Sequence, residues 1–374
     1  MPFVGDHLQR PTYEILHTIG EGNVGVCRLA RHSIFDRDVV QKTISLLGVP
    51  DGVAREPHLL KEARHKRLLE VWDAQWEPDP QFQGLEAVTF ICDYYPGGSV
   101  YNALMDGHEF GVAGAMRICG QMLDALEYLH TDRGYLHRDV KPGNILLDQE
   151  RENAVLADLG SAGILDPDTG TAPNYGGTPL YLAPEARPSG QVAIRSDLYS
   201  LGVATVEMLA GRFPYESIRL SDIESRLNLG KRALSDRWFI LPPHVPPSVR
   251  KFVGSLIRVE AIRRPDTARA ALRKLNSLQY VDWRRTSGTG LLGEWAGTWP
   301  PQKILPRRRR YRVRATELAR GPHVGQICLT ADWLSTGDSW RGLRTLTTYT
   351  DRGDATALGE FFRRVEAAAH ASPA

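Results

Sequence analysis

The sequence predicts an α+β protein with a strand-rich first part, a helix-rich second part and a small α+β module at the C-terminal end. Three observations predict it. Apolar and polar residues alternate over much of the chain up to about residue 95, as in half-buried strands. From Val112 to Leu278 apolar residues recur at helical spacing. Alternation then returns beyond a stretch dominated by Gly and Pro, "TSGTGLLGEWAGTWPP" at 286–301.

The composition fits this. The chain has 374 residues, 42% hydrophobic and 24% charged, which suits an ordinary globular protein of two or three domains. No run approaches the ~18–20 uncharged apolar residues of a bilayer-spanning helix. The opening "MPFVGDHLQRPTYEIL" lacks the basic-then-apolar order of a secretion signal, so a cytoplasmic protein is expected. Cys27, Cys92, Cys119 and Cys328 are widely spaced and form no CxxC pair, as reduced thiols would be. The net charge of +2 divides unevenly. After Tyr280 there are fifteen Lys and Arg against nine Asp and Glu, whereas up to Tyr280 there are 31 against 35. Opposite bias suggests two modules.

In chain order, "YEILHTIG", "VCRLARH" and "RDVVQKTISL" read as three strands within 13–46. Residues 56–71 look helical, with Pro57 in the first turn and Leu59, Leu60, Ala63 and Leu68 at helical spacing. "LEAVTFICDYY" reads as a further strand. A helix follows from Val112, with Met116, Cys119, Leu123, Leu126 and Leu129 on one face. Residues 194–211 are apolar enough for a buried helix, and two more helical stretches end near Leu278. Residues 279–301 are expected to be a linker. Beyond it, Tyr311, Val313 and Ala315 alternate inward, and Leu358, Phe361, Phe362 and Val365 form a helical stripe.

Three constellations carry chemistry. In "IGEGNVGV", Gly20, Gly22 and Gly25 fall between two strands, where bare backbone N–H groups can approach phosphates closely. A dinucleotide fold would place such glycines between strand and helix, so a flap over nucleotide phosphates fits better. Lys42 follows on the next strand, where an ammonium could grip phosphates. It requires an anion to place it. Glu62, near the middle of the expected helix, is the expected partner, with Glu56 at its edge and Glu70 near its far end. In "LHRDVKPGNILLD", Asp139, Lys141 and Asn144 share a loop, because Pro142 prevents a regular strand. They suit phosphoryl transfer. A carboxylate takes a hydroxyl proton, a lysine offsets phosphoryl charge, and a carboxamide oxygen coordinates magnesium.

These segments resemble the eukaryotic-type Ser/Thr protein kinase family. The likeness runs from about Tyr13 to Leu278 and takes in "ADLG" (157–160), "GTPLYLAPE" (177–185), "SDLYSLG" (196–202) and "RRPD" (263–266). It implies a bilobal protein-kinase-like fold over 1–278, with a β-rich N-lobe at about 11–94 and a helical C-lobe at about 98–278; the strand alternation and helical stripe beyond the expected linker add a small α+β domain at 302–374. It implies ATP and Mg2+ as cofactors, Asp139 as catalytic base, and Asn144 and Asp158 as metal ligands. Backbone groups of Asp93 and Tyr95 would bond the adenine edge. Glu185 would pair with Arg264, and Asp197 would brace the catalytic loop. Lys141 and Thr178 point to a protein Ser/Thr hydroxyl as acceptor. Autophosphorylation at Thr169 or Thr171, opposite Arg138, is expected. Asn23-Val24 in the flap, Gln41 before the lysine and Leu159 in place of the common Phe depart from the pattern without removing a chemical group. The rival reading is a catalytically weak nucleotide-binding scaffold. No family is recognised in the C-terminal module, where Arg307–Arg310 could meet an acidic partner or nucleic acid, or simply form a solvated strand edge.

Overall fold

The computed structural model describes residues 11–22, 25–46, 56–79, 86–299, 309–334 and 339–371. A five-stranded antiparallel sheet opens the chain: β1 (Tyr13–Gly22), β2 (Gly25–His32), β3 (Arg37–Ser45), β4 (Val71–Pro78) and β5 (Glu86–Asp93), in the order β1-β2-β3-β5-β4. Alternation along β3 sends Val40 and Ile44 to the main core and Val39 to a small cluster with Ala30 and Ile91 on the other face. At β3 both faces of the sheet are therefore covered.

The helix expected over 56–71 is shorter. α1 spans Glu56–Glu62. The chain then leaves the helix because tertiary pairing competes for its backbone. The Leu69 N–H donates to the Leu156 carbonyl (3.0 Å), and the Leu156 N–H donates to the Arg67 carbonyl (2.8 Å). β4, which no pattern in the sequence announced, follows at once; most of its central side chains are exposed, so it lacks a clear apolar period.

The second lobe holds α2 (Val100–Met105), α3 (Val112–Thr131), α4 (Ala186–Ser189), α5 (Ile194–Ala210), α6 (Leu220–Asn228), α7 (Pro247–Leu256) and α8 (Ala268–Asn276). Short paired strands interrupt it: β6 (Tyr135–Leu136) with β9 (Gly163–Ile164), β7 (Ile145–Leu147) with β8 (Ala154–Leu156), and β10 (Thr171–Pro173) with β11 (Gln191–Ala193). The α3 stripe of Met116, Cys119, Leu123, Leu126 and Leu129 is buried as its spacing required, and α5 is enclosed along nearly its whole length.

The stretch expected to be a linker is instead the start of a second sheet. β12 (Asp282–Ser287) and β13 (Gly293–Trp299) pair antiparallel and continue into β14 (Arg309–Glu317), β15 (Ile327–Leu334), β16 (Trp340–Gly342) and β17 (Thr348–Thr350). The glycines that suggested a linker build the hairpin: Gly288, Gly290 and Gly293 take φ of 87°, 59° and 147°. α9 (Ala355–Ala371) lies over the inner face. Trp283 and Trp295 both meet the Phe362 ring edge-on, at 5.1 and 5.4 Å, and Tyr311, Val313 and Ala315 point inward beside them. The helical stripe of Leu358, Phe361, Phe362 and Val365 is buried as read. The sheet also touches the helical lobe, where the Ala113 N–H, in the first turn of α3, donates to Asp282 Oδ1 at 2.9 Å.

Gly297 lies beneath Trp283, where a Cβ would stand 2.5 Å from the indole ring. Gly297→Ala should therefore overpack the small core and destabilise it by about 1–3 kcal/mol. Gly254→Ala, within α7 and with nothing within 4 Å of the new methyl, should instead stabilise the chain by roughly 0.5–1 kcal/mol. Denaturant unfolding of both variants checks the pair; equal midpoints would contradict the packing.

Candidate functional site

The site lies between the two lobes, and a buried carboxylate shapes its floor. Asp197, in the first turn of α5, is 2% exposed. It accepts from the backbone N–H of His137 (2.8 Å) and of Arg138 (2.8 Å), and from His130 Nε2 (2.9 Å). Burial opposes its charge, yet the His130 bond and the nearby imidazoles hold its carboxyl below the usual range. The loop from His137 to Asn144 is thereby tied to the buried helix α5. Arg138 sits at φ 67°, a left-handed conformation that costs a non-glycine residue of order 1 kcal/mol or more.

Asp139 is 8% exposed and heavily bonded. Its Oδ2 accepts from Lys141 Nζ (2.6 Å) and Asn144 Nδ2 (3.2 Å). Its Oδ1 accepts from the N–H and hydroxyl of Thr178, each at 2.8 Å. Lys141 Nζ also donates to Thr178 Oγ1 (2.9 Å). A threonine hydroxyl thus rests against the carboxylate, with an ammonium beside both. Asn144 Nδ2 donates to the Asp139 carbonyl as well (2.8 Å), which leaves Oδ1 of that amide as the acceptor.

Lys42 reaches the site from above. Its Nζ donates to both carboxylate oxygens of Glu56 at 2.9 Å and lies 3.9 Å from Asp158 Oδ1. Burial works against the ammonium, but Glu56 and then Asp158 outweigh it, so Lys42 holds its proton more tightly than a free lysine. Asp158 takes φ 68° at the start of its turn. Burial would raise its carboxyl, but Lys42, His137 and Lys141 keep it below the usual range and ionised.

Glu62 is not the partner of Lys42. It stands at the end of α1 and meets Arg133 (3.0 Å) and His58 (3.4 Å) instead. The reason is helical phase. Glu56, Leu60 and Ala63 fall at i, i+4 and i+7 and are all buried, while Glu62 lies off that stripe. That phase is present in the sequence, where Leu60 and Ala63 are apolar at the spacing that brings Glu56 to the same face.

The glycine turn lies between strands as read, with Gly22 paired to Gly25; Asn23 and Val24 lie outside the described residues. A Cβ on Gly25 would stand 2.3 Å from the Thr43 carbonyl, so β3 alone excludes a side chain there. Gly20 meets no such limit. At the lobe junction Cys92 is buried, the Asp93 N–H donates to the Glu70 carbonyl (3.3 Å), and the Tyr95 carbonyl accepts from Gly98 (3.0 Å). The Asp93 side chain is turned to Arg37 and Trp72. Leu159, 2% exposed, packs in the main core. Glu185 and Arg264 form a bidentate pair (2.8 and 2.7 Å). Arg138 donates to the backbone carbonyls of Ser161, Ala162 (2.7 Å) and Pro173 (2.8 Å), and Tyr175 lies over its guanidinium. His130 and His137, which no motif reading singled out, complete the support; His137 Nε2 lies 3.0 Å from the Ala157 carbonyl.

The model of the protein kinase domain matches residues 13–275. The chain is 28% identical to CBL-interacting protein kinase 25 of Oryza sativa subsp. japonica, over 67% of this chain and 48% of that protein. It is 27% identical to the serine/threonine-protein kinase pkn2 of Myxococcus xanthus, over 68% of this chain and 31% of the relative. It is 24% identical to mitogen-activated protein kinase kinase 2 of Arabidopsis thaliana, over 80% of each. The chain thus spans about half or less of the length of the first two relatives.

Glu56→Gln removes the charge that places Lys42. Loss of a charge-assisted bond of about 1.5–3 kcal/mol should lower turnover roughly 10- to 100-fold. Glu62→Gln should leave turnover close to wild type. Steady-state kinetics of the two variants with ATP and a protein acceptor decide between them, and the reverse ranking would refute the assignment.

Proposed function

Because this chain belongs to the protein kinase family, we propose that it transfers the γ-phosphate of ATP to Ser and Thr hydroxyls of proteins. The observation that carries the proposal is the Thr178 hydroxyl held 2.8 Å from Asp139 and 2.9 Å from Lys141. An acceptor hydroxyl taking that place would give its proton to the Asp139 carboxylate as its oxygen bonds to the γ-phosphorus, while the bond from that phosphorus to the bridging β–γ oxygen breaks and ADP leaves. Lys141 would offset charge on the moving phosphoryl group, and Lys42, placed by Glu56, would hold the nucleotide phosphates. The turn of Gly20, Gly22 and Gly25 would cover them from above. Backbone groups of Asp93 and Tyr95 would bond the adenine edge.

The metal we assign is magnesium. Asp158 and the free oxygen of Asn144 would hold it, and it would neutralise charge on the phosphates. Among the described residues no group of three His, Cys, Asp or Glu forms a cage, which fits a hard cation that takes few protein oxygens and completes its shell from phosphate and water. A protein acceptor is supported by the segment 177–185, which is anchored on α5: Tyr181 Oη donates to Glu207 (2.7 Å), and Ser200 Oγ donates to the Tyr181 carbonyl (2.9 Å).

We further propose autophosphorylation at Thr169 or Thr171, whose hydroxyls lie 2.9 Å apart. Arg138 is already occupied by three carbonyls, so the phosphate is not what orders the segment. The C-terminal module is proposed as a regulatory or partner-binding unit. Arg307 and Arg308 lie outside the described residues, and Arg309 and Arg310 begin β14. Arg310, Arg312 and Arg314 share one side of that strand, which supports an anionic partner there, although Asp332 already engages Arg312 and Arg314. No helix among the described residues is long and apolar enough to cross a membrane. The cytoplasm is the location we assign, supported by four free cysteines.

Asp139→Asn should lower phosphate transfer to a generic protein by roughly 10²–10⁴-fold, and Lys42→Met should weaken it as strongly. Equal signal from wild type and both variants would sink the enzymatic reading and favour the scaffold. Phosphopeptide mapping after incubation with ATP should find Thr169 or Thr171 modified; active protein bare at both would overturn the autophosphorylation assignment.

A further inference from the structure

The helical lobe and the C-terminal sheet enclose a cavity of about 410 Å³ that shares no residue with the phosphotransfer site. Its walls are the 107–111 loop before α3, the end of α5 and the edge strand β12. The floor is apolar, with Phe110, Met208 and Trp283. The polar lining is mostly basic: Arg212, Arg284 and Arg285 with His108 and His244, against the single carboxylate of Glu109.

These charges are not equally compensated. Arg212 pairs with Glu216, and Arg284 lies 3.6 Å from Asp282. Arg285 stacks on Trp295 (5.1 Å to the ring centre) and donates to the Gly290 carbonyl, but it has no carboxylate partner among the described residues. Its Nε and the Nδ1 of His244 are buried without a hydrogen-bond partner, which is costly for polar groups. The positive field registers on both histidines. Burial and then Arg285 and Arg250 hold His244 at about 4, and burial and then Arg151 and Arg284 lower His108. An enclosed apolar floor with uncompensated positive charge at one side is the chemistry of a site for an amphipathic acid. The volume is too small for a folded partner. Bare phosphate would leave the floor uncovered.

We propose that this cavity binds a small organic anion, with its acid group at Arg284 and Arg285 and a flat apolar body against Phe110 and Trp283. The assignment is independent of the phosphotransfer reading, because its test reads binding and not turnover.

The test is an equilibrium titration of the full chain with naphthoate, followed by tryptophan fluorescence, with neutral naphthalenemethanol and inorganic phosphate as comparison probes. Naphthoate should bind saturably at one site and remain bound in saturating ATP. The neutral probe should bind about tenfold more weakly or worse, the factor that a charge-assisted bond supplies. Arg285→Gln and Arg284→Gln should each weaken naphthoate to a similar degree. The Arg284 side chain is 58% exposed, so its substitution decides the matter if the other variant fails to fold. The proposal is overturned by absence of saturable binding, by equal affinity for the charged and neutral probes, or by unchanged affinity in Arg284→Gln. Displacement by ATP would place the probe in the nucleotide cleft and also overturn it. Inorganic phosphate competing as well as naphthoate would remove the apolar half of the assignment.

Discussion

The loop from His137 to Asn144 depends on one buried anion. Asp197 is enclosed at the start of α5, where an ionised carboxylate persists only if its lone pairs are filled. Two backbone N–H groups and one imidazole fill them, and both N–H groups belong to the residues just before Asp139. The requirement to satisfy Asp197 therefore positions the loop, which in turn carries the strained turn at Arg138 and presents Asp139, Lys141 and Asn144 together. Val140, fully buried in the main core, gives the loop an apolar anchor as well. The loop's order is borrowed from the helix core beneath it, and this is how an irregular segment can hold the Asp139 carboxylate in one place.

The upper half of the cleft is built on a different logic. Lys42 comes from a sheet, Glu56 from a short helix and Asp158 from a turn in the other lobe, and the three meet through charge and hydrogen bonding. Removing any one would leave a buried charge poorly compensated. Such an arrangement makes the approach of α1 to the sheet part of the chemistry, since Glu56 is placed by the packing of Leu60 and Ala63 against the core. Leu159 contributes to that core as an apolar side chain, so the absence of an aromatic ring there removes packing volume and no chemical group.

The C-terminal sheet is joined to this machinery. Asp282 accepts from the first turn of α3, and the last turn of α3 supplies His130 to Asp197. A single twenty-residue helix thus connects the added module to the loop that carries Asp139. A side chain on Gly111, ahead of that helix, would stand 2.7 Å from the Arg284 guanidinium, so the contact between module and lobe is close.

What the sequence by itself determined is the protein kinase family, the residues that share the loops and turns of the candidate site, and most of the elements. The Asp139, Lys141 and Asn144 loop, the Asp158 turn, the glycine turn and the stripes of α3 and α9 were legible, because each rests on residue type at short spacing, which local periodicity and loop chemistry preserve. Tertiary structure alone decided where α1 stops, since Arg67 and Leu69 are drawn from the helix by backbone bonds to Leu156, more than eighty residues away. Helical phase, already present in the sequence, selects Glu56 over Glu62 as the partner of Lys42, and there tertiary structure sets only the helix end. Tertiary structure also decided that the glycines at 288–293 turn a hairpin and do not loosen a linker. Glycine composition reports permissive φ values and not whether the flanking strands find partners, and here Trp283 and Trp295 bury against Phe362, a contact that no local pattern encodes.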